Sequence, residues 1–411
     1  MYDKIQPVMQ KPKGTRDFVG SESILREKIT SLFIDFARNL GFTSIETPVF
    51  EKSELFERSV GKTSDIVQKE LFYLSSKKNE RFALRPELTA GVVRALIERG
   101  IKSMPKPINI YTVGNVYRYE KPQKGRYREF RQYDLNSFGE KNPYFDGYFI
   151  ASAVKFIEKI INKKIVVYIN SLGSGKTKEL YAQTLLKTLK DNTDKLCDDC
   201  KSRITKNPLR VLDCKANCKD FFSDLITIDK FYTGDEKQYF KMVTDFLSTA
   251  SIKFKIDPYL MRGLDYYTSI VFEFTVLDDT SRSSVLCGGG RFDNLVGNLG
   301  GSQTDAVGLG IGLERLLDNM KDIPDIKNKS LLIAPVSEDF VKKSYEICLS
   351  LISKGRSAQV STTTNLQSSF SFALKNNFKK LIIVGDETAS GRVAVKDLKS
   401  KSQKTVNLSG L

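Results

Sequence analysis

Between residues 71 and 138 the chain sets strand-like runs close together in sequence, with short turns and one helix between them. This constrains the fold more than any other feature. Alternating apolar, β-branched and aromatic residues mark strands at 71–74, 81–85, 108–112, 115–118 and 129–138, with a helix from Leu88 to Arg99. Consecutive strands joined this way imply an antiparallel sheet flanked by helices, an α+β fold, and not the β-α-β alternation of a dinucleotide-binding domain.

The flanking segments fit that frame. From Ser21 to Asn39 apolar residues recur at helical spacing, and Gly41 stands where a left-handed residue would end the helix. A strand over 42–46 is closed by Thr47-Pro48, and a short helix covers 53–60. Further on, the pattern predicts a helix over 145–161 and a strand over 165–169. From about 175 to 252 the chain turns helical and rich in Lys and Asp, as an insertion between two halves of one sheet domain would. Residues 319–329 read as a polar linker with a single Pro. Beyond it, strands at 331–336, 381–384 and 393–395 and helices at 338–353 and 370–376 predict a small α/β domain. The expected division is a domain over 1–325 carrying the insertion, then one over 330–411.

Lys and Arg number 65 against 49 Asp and Glu, a formal charge of +16, which draws polyanions by counterion release. Nucleic acid is the first candidate partner; a merely solubilising surface is the alternative. Residues 329–411 carry 13 basic and 6 acidic side chains, so the last domain holds much of the surplus. There is no His and no Trp. Without imidazole a Ser-His-Asp hydrolase is excluded, a general base must be Asp, Glu, Lys or Tyr, and any metal must sit on Cys or oxygen ligands. No apolar run approaches the roughly 20 residues of a membrane span, and the first four residues start nothing like a signal peptide, so a cytosolic protein with no membrane partner is expected.

Five segments carry chemistry. Arg262-Gly263-Leu264-Asp265-Tyr266-Tyr267-Thr268 packs a cation, a carboxylate and two phenols beside what reads as a hairpin; a hairpin with exposed aromatics is the plain alternative. VYRYEKPQKGRYREFRQYD, from Val116 to Asp134, predicts two strands around a loop bearing Lys121, Lys124, Arg126 and Arg128, with Arg118 and Arg128 bracketing a loop fit for a polyphosphate; a basic hairpin on an RNA backbone is the other reading. Cys287-Gly288-Gly289-Gly290-Arg291-Phe292-Asp293 sets three glycines between a strand and a helix. AVGLGIGLERLL, from Ala306 to Leu317, reads as a Gly-rich strand entering a helix whose first turn holds Arg315, with simple packing as the alternative. In the insertion, Cys197-x-x-Cys200 and Cys214-x-x-x-Cys218 suit a four-thiolate zinc knuckle, against four small buried thiols in a helical lobe. Cys287 and Cys348 read as packing residues.

Taken together, KGTRDF at 13–18, TP at 47–48, LRPELTAG at 84–91, the YRYEKPQKGRYREFRQ loop, RGLDYYT, GGGRFDNL at 288–295 and GLGIGLERL at 308–316 resemble the histidyl-tRNA synthetase family of class II aminoacyl-tRNA synthetases over essentially the whole chain. The resemblance implies a class II catalytic domain followed by an anticodon-binding domain, with ATP and Mg²⁺, L-histidine, tRNA(His) and a homodimer. It implies that Arg118 and Arg262 clamp the α-phosphate and that Arg126 and Arg315 hold the outer phosphates. Phe130 would stack on adenine, with Glu120 at the nucleotide. Glu87, Leu88, Thr89 and Gln132 would surround the α-amino group, and Asn136, Tyr266 and Tyr267 the ring. Histidine's own carboxylate attacks the phosphate, so the missing imidazole is no obstacle.

Two departures stand out. The family commonly places Asp or Glu at the position of Asn136, so the amide is expected to favour the neutral ring. Relatives usually add a closing helix after the last strand, where this chain ends at Leu411. Two rival functions are a non-catalytic, synthetase-like regulatory subunit of ATP phosphoribosyltransferase and an RNA-binding or uncharged-tRNA sensing module. The retained arginines at 118, 126, 262 and 315 oppose the first.

Overall fold

The computed structural model describes residues 9–61, 64–75, 80–123, 125–214, 218–222, 225–277, 279, 285–320, 331–376 and 378–410. The chain divides into two compact units, Met1–Asp322 and Ile323–Leu411. Lys124, most of the expected linker and the first four residues lie outside the described set.

In the first unit the order is α1 (Ser21–Asn39), β1 (Thr43–Ser44), β2 (Phe50–Lys52), α2 (Ser53–Ser59), β3 (Tyr73–Ser75), β4 (Arg81–Leu84), α3 (Thr89–Glu98), β5 (Ile108–Tyr117), β6 (Glu129–Phe138), α4 (Pro143–Ile161) and β7 (Ile165–Ser171). A helical lobe follows: α5 (Gly175–Lys190), α6 (Asp198–Ile204), α7 (Lys219–Phe222) and α8 (Gly234–Thr249). Then come β8 (Phe254–Ile256), β9 (Ile270–Val276), β10 (Cys287–Arg291), α9 (Leu295–Asn298), β11 (Ala306–Gly312) and α10 (Leu313–Asn319). Eight strands form one sheet in the order β1-β5-β6-β11-β10-β9-β7-β8, while β2, β4 and β3 make a small second sheet. Only the two outermost pairs of the large sheet, β1 with β5 and β7 with β8, run parallel. The lobe leaves the sheet at β7 and returns to it at β8.

Local chemistry sets these elements. The buried residues of α1, Leu25, Ile29, Phe33 and Ala37, recur every fourth position along one face. Phe33 stacks on Tyr133 of β6 with ring centroids 4.9 Å apart. Leaving water stabilises each of the larger three by about 1.5–3 kcal/mol. Gly41 has the left-handed φ of 82° expected after the helix. Asn142 caps α4 by accepting from the Tyr144 N–H at 2.9 Å, with Pro143 at the first helical position.

Several expectations are corrected. The strands expected at 108–112 and 115–118 are one strand, β5, because β6 pairs with it without a break from Ile108 to Tyr117. The strand expected over 42–46 shrinks to Thr43–Ser44 on the sheet edge. The three glycines at 288–290 lie within β10, not after a strand, since that strand is paired on both sides. Residues 262–268 form no hairpin: β8 and β9 flank β7 on opposite sides, so their connection crosses the end of β7.

The second unit contains β12 (Leu331–Pro335), α11 (Val341–Ser353), β13 (Ala358–Val360), α12 (Leu366–Lys375), β14 (Lys380–Val384), β15 (Arg392–Asp397) and β16 (Gln403–Asn407), in the sheet order β13-β12-β14-β15-β16. Strands β13 and β16 escape the sequence reading because β13 has only three residues and β16 is largely exposed, so neither shows a clean apolar alternation. Helix α11 begins at Val341, after a 3-10 turn at Glu338–Phe340, and α12 begins at Leu366 with Asn365 accepting from the Ser368 N–H.

Candidate active site

One face of the large sheet forms the floor of the site. Side chains alternate along β6, so Phe130, Gln132, Asp134 and Asn136 share a face, while Glu129, Arg131, Tyr133 and Leu135 share the other. On β11 the residues opposite Gln132, Asp134 and Asn136 are Gly312, Gly310 and Gly308. On β10, Gly288 and Gly290 stand opposite Gly310 and Gly308. With no side chains on those strips, polar groups from both sides can lie across bare backbone. A Cβ on Gly310 would sit 2.7 Å from Gln132 Nε2 and 2.9 Å from Asp134 Oδ1, and one on Gly288 would run into the Arg262 guanidinium. The glycines therefore make a trough that a ligand can approach closely.

Four arginines from three segments meet at this trough. Arg262, on the β8–β9 connection, pairs with Glu273 of β9, lies 5.9 Å over the Tyr267 ring and keeps a buried Nε with no hydrogen-bond partner. Burial opposes its charge most strongly of any one cause, but Glu273 and Tyr267 together hold the guanidinium above its usual pKa. Arg118, just past β5, donates from Nε to the Pro86 carbonyl at 2.9 Å and covers the Phe130 ring at 5.3 Å. Arg126 pairs with Glu120 at 3.4 Å. Arg315, in the first turn of α10, donates to the carbonyls of Gly125 and Val285. Burial, then the neighbouring Arg118 and Arg126 guanidinium groups, push Arg315 down to about 10. Guanidinium groups crowded closely enough to depress Arg315 mark a place that calls for an anion.

Beyond the arginines lies a carboxyl corner. Glu87, 3% exposed, accepts the N–H groups of Thr89 at 2.7 Å and Ala90 at 2.8 Å at the start of α3, beside the buried Leu88. Burial raises its pKa against those two bonds. Thr89 Oγ1 donates to Asn136 Oδ1 at 3.4 Å, and the buried Asn136 Nδ2 and Gln132 Oε1 have no partner. Asp134, 3% exposed with an unpartnered Oδ1, lies well above the usual carboxylate range through burial and then Glu87. Two carboxyls in one dry pocket resist joint ionisation, and a bound ammonium group would relieve both. Tyr266 and Tyr267, ring centroids 4.8 Å apart, are kept protonated by burial.

The sequence-derived set thus gathers in one trough: Arg118, Glu120, Arg126, Phe130, Arg262 and Arg315 at the cationic part, and Glu87, Leu88, Thr89, Gln132, Asn136, Tyr266 and Tyr267 at the other. Arg128 does not join it. Its guanidinium stacks on Tyr119 at 3.9 Å and donates to the Glu120 carbonyl. Sequence reasoning missed Asp134 and Glu273. The alternation along β6 points to Asp134, which falls between Gln132 and Asn136; nothing local distinguishes Glu273 from an ordinary polar residue of a strand. In the lobe, the Sγ atoms of Cys197, Cys200, Cys214 and Cys218 all lie within 4.8 Å of one another.

Comparison with known proteins gives a consistent result. Residues 72–382 match the family model described as the tRNA synthetase class II core domain (G, H, P, S and T). The chain is 37% identical to a histidine-tRNA ligase of Caldicellulosiruptor saccharolyticus over 98% of both chains, and 35% identical to one of Clostridioides difficile over 97% of both. Its fold is similar to the crystal structure of apo S. aureus histidyl-tRNA synthetase, with a TM-score of 0.80, 26% identity and 98% of both chains covered.

Proposed function

The chain belongs to the class II tRNA synthetases, among the histidine-tRNA ligases, and from that premise we propose how its trough activates histidine. The reaction joins L-histidine to tRNA(His) with ATP going to AMP and pyrophosphate. In the first step the histidine carboxylate attacks the α-phosphate, and negative charge moves onto the departing pyrophosphate.

The convergence of Arg118, Arg126 and Arg315, read from the depressed Arg315, is the observation that carries this reading. Arg118 and Arg262 hold the α-phosphate from the β5 and β10 sides of the trough. Arg126 and Arg315 take the outer phosphates, and Phe130 offers its ring to adenine. Glu120 and Glu273, the carboxylates paired with Arg126 and Arg262, are the oxygen donors that would hold a Mg²⁺ bound with ATP, which would add positive charge at the phosphates. Glu87, Thr89 and Gln132 receive the α-ammonium, while Asn136, Tyr266 and Tyr267 face the ring. No residue serves as nucleophile, so rate comes from alignment and fixed positive charge.

The 3′-terminal ribose hydroxyl of the tRNA then attacks the adenylate. The second unit, rich in Lys and Arg, reads the anticodon. Two copies pair through the segment around Pro48, where Val49 and Phe50 are 41% and 52% exposed; a sedimentation mass of one chain would rule this out. Zinc on Cys197, Cys200, Cys214 and Cys218 belongs to the proposal as a structural element outside the adenylation chemistry. A cytosolic site of action fits the reading, and among the described residues no helix is long and apolar enough to cross a membrane.

Pyrophosphate exchange across the amino acids tests the assignment. Exchange should require histidine; none with any amino acid would favour the regulatory-subunit reading.

The ring contact gives a pH prediction. The Asn136 amide carries no charge to favour imidazolium, and its buried, unpartnered Nδ2 can be satisfied only by a ring lone pair, which neutral imidazole alone has. The histidine KM should rise as pH falls through about 6.5. A KM that falls over that range would contradict the assignment, and Asn136→Asp should remove or reverse the trend.

A further inference from the structure

Resting on the reading of the trough as an adenylation site, we infer that the four-cysteine centre is a zinc-held clamp that positions Arg262 through Arg210. The geometry of the thiols comes first. A tetrahedral zinc with bonds of about 2.3 Å to sulfur has sulfur-sulfur edges of about 3.8 Å. Cys197 and Cys214 Sγ stand 3.8 Å apart, and no pair of the four exceeds 4.8 Å. A disulfide needs about 2.05 Å, so these thiols are gathered without being bonded. The Cys197 N–H donates to Cys218 Sγ at 3.1 Å, a bond that favours a thiolate.

The centre connects directly to the catalytic loop. Cys197 caps the start of α6 and Cys200 lies in its first turn, while the 3-10 turn Pro208–Asp213 runs straight into Cys214. From that turn Arg210, 6% exposed, reaches residues 262–265. Its Nη1 donates to the Arg262 carbonyl at 3.2 Å, its Nη2 to the Gly263 carbonyl at 2.8 Å, and its Nε lies 3.3 Å from Asp265. One planar guanidinium thus holds three points, at residues 262, 263 and 265, of the loop that carries Arg262, Tyr266 and Tyr267. Arg203, on α6, fixes the other side of the lobe by donating to Asp65 at 2.7 Å. The β8–β9 connection has no strand pairing of its own at 262–265, so Arg210 supplies what the sheet does not. Arg210 is a positioning residue: it touches Arg262 only through backbone.

Metal analysis and histidine-dependent pyrophosphate exchange on the full chain test the clamp. One zinc per chain is expected. Stripping it with a chelator should lower kcat on the order of 10- to 100-fold, as small misplacements of a catalytic group do, with little change in KM, and returning zinc should restore it. Arg210→Ala should keep the zinc and lose kcat to a similar extent, with Arg210→Lys recovering only part. A zinc-free preparation with full exchange would overturn the metal, and a zinc-retaining Arg210→Ala with wild-type kcat would overturn the clamp. Wild type that exchanges with no amino acid would sink the adenylation reading and the clamp with it, while the zinc content would still decide the metal.

Discussion

Arg262→Ala is expected to lower histidine-dependent pyrophosphate exchange on the order of 100- to 1000-fold, the range seen when one fixed donor to a developing charge is removed. Arg262 is the cation whose Nε is buried and unpartnered while another nitrogen is anchored on Glu273, so a phosphate oxygen meets a donor that needs no rearrangement. Its loss has a second effect: Glu273 stays behind as a part-buried anion beside the phosphate position and repels the substrate. Arg262→Lys should recover little, because an ammonium group cannot hold Glu273 and present a second donor in a fixed plane. The loss should fall on kcat, with the melting transition near that of wild type. Exchange within tenfold of wild type would show that Arg262 does not face the reacting phosphate.

Arg291→Ala is expected to cost about 3–5 kcal/mol of stability, since removing one partner of a buried pair leaves uncompensated charge. Arg291 is 0% exposed and donates to Asp146 at 2.7 Å, to Asp293 at 3.1 Å and to the Glu140 carbonyl at 2.7 Å. It ties β10 to α4 beneath the glycine trough. Tyr239 donates to the other Asp146 oxygen at 2.9 Å. Burial pushes Asp146 up to about 6 from an ordinary 3.8, even with the guanidinium beside it. A folded-state pKa raised in this way means that Asp146 contributes most below about pH 4 and that this contribution is lost as pH rises through 6. Without Arg291 the carboxyl is harder still to ionise, so the destabilisation should be greater at pH 8 than at pH 5. Urea unfolding at both values checks this. Equal losses at the two pH values would mean that the pair does not govern the stability of this region.

Much of the site was legible because its residues sit in short segments with recognisable chemistry. Arg118, Arg126, Phe130, Gln132 and Asn136 fall within one stretch of strand-turn-strand, and Arg262, Tyr266 and Tyr267 within seven residues. Asp134 could have been read from the same alternation. Glu273 and Arg210 could not. Glu273 becomes part of the site only because β9 lies beside β10, and Arg210 only because a lobe some 50 residues upstream folds back onto the loop at 262–265. Arg291 shows the opposite limit: nothing local in the sequence marks the charged side chain after three glycines as a buried partner of Asp146.

The sequence alone indicated most of the elements, the antiparallel character of the main sheet, the helical stretch between its strands and the types of group available: arginine and carboxylate, with no imidazole. Those follow from periodicity and composition, which act over a few residues. The tertiary structure decided which glycines form the floor, which arginines gather at the trough and which faces an aspartate, and how closely the four cysteine thiols lie. Pairing register and long-range packing fix these, and they join residues whose separation along the chain carries no local signal.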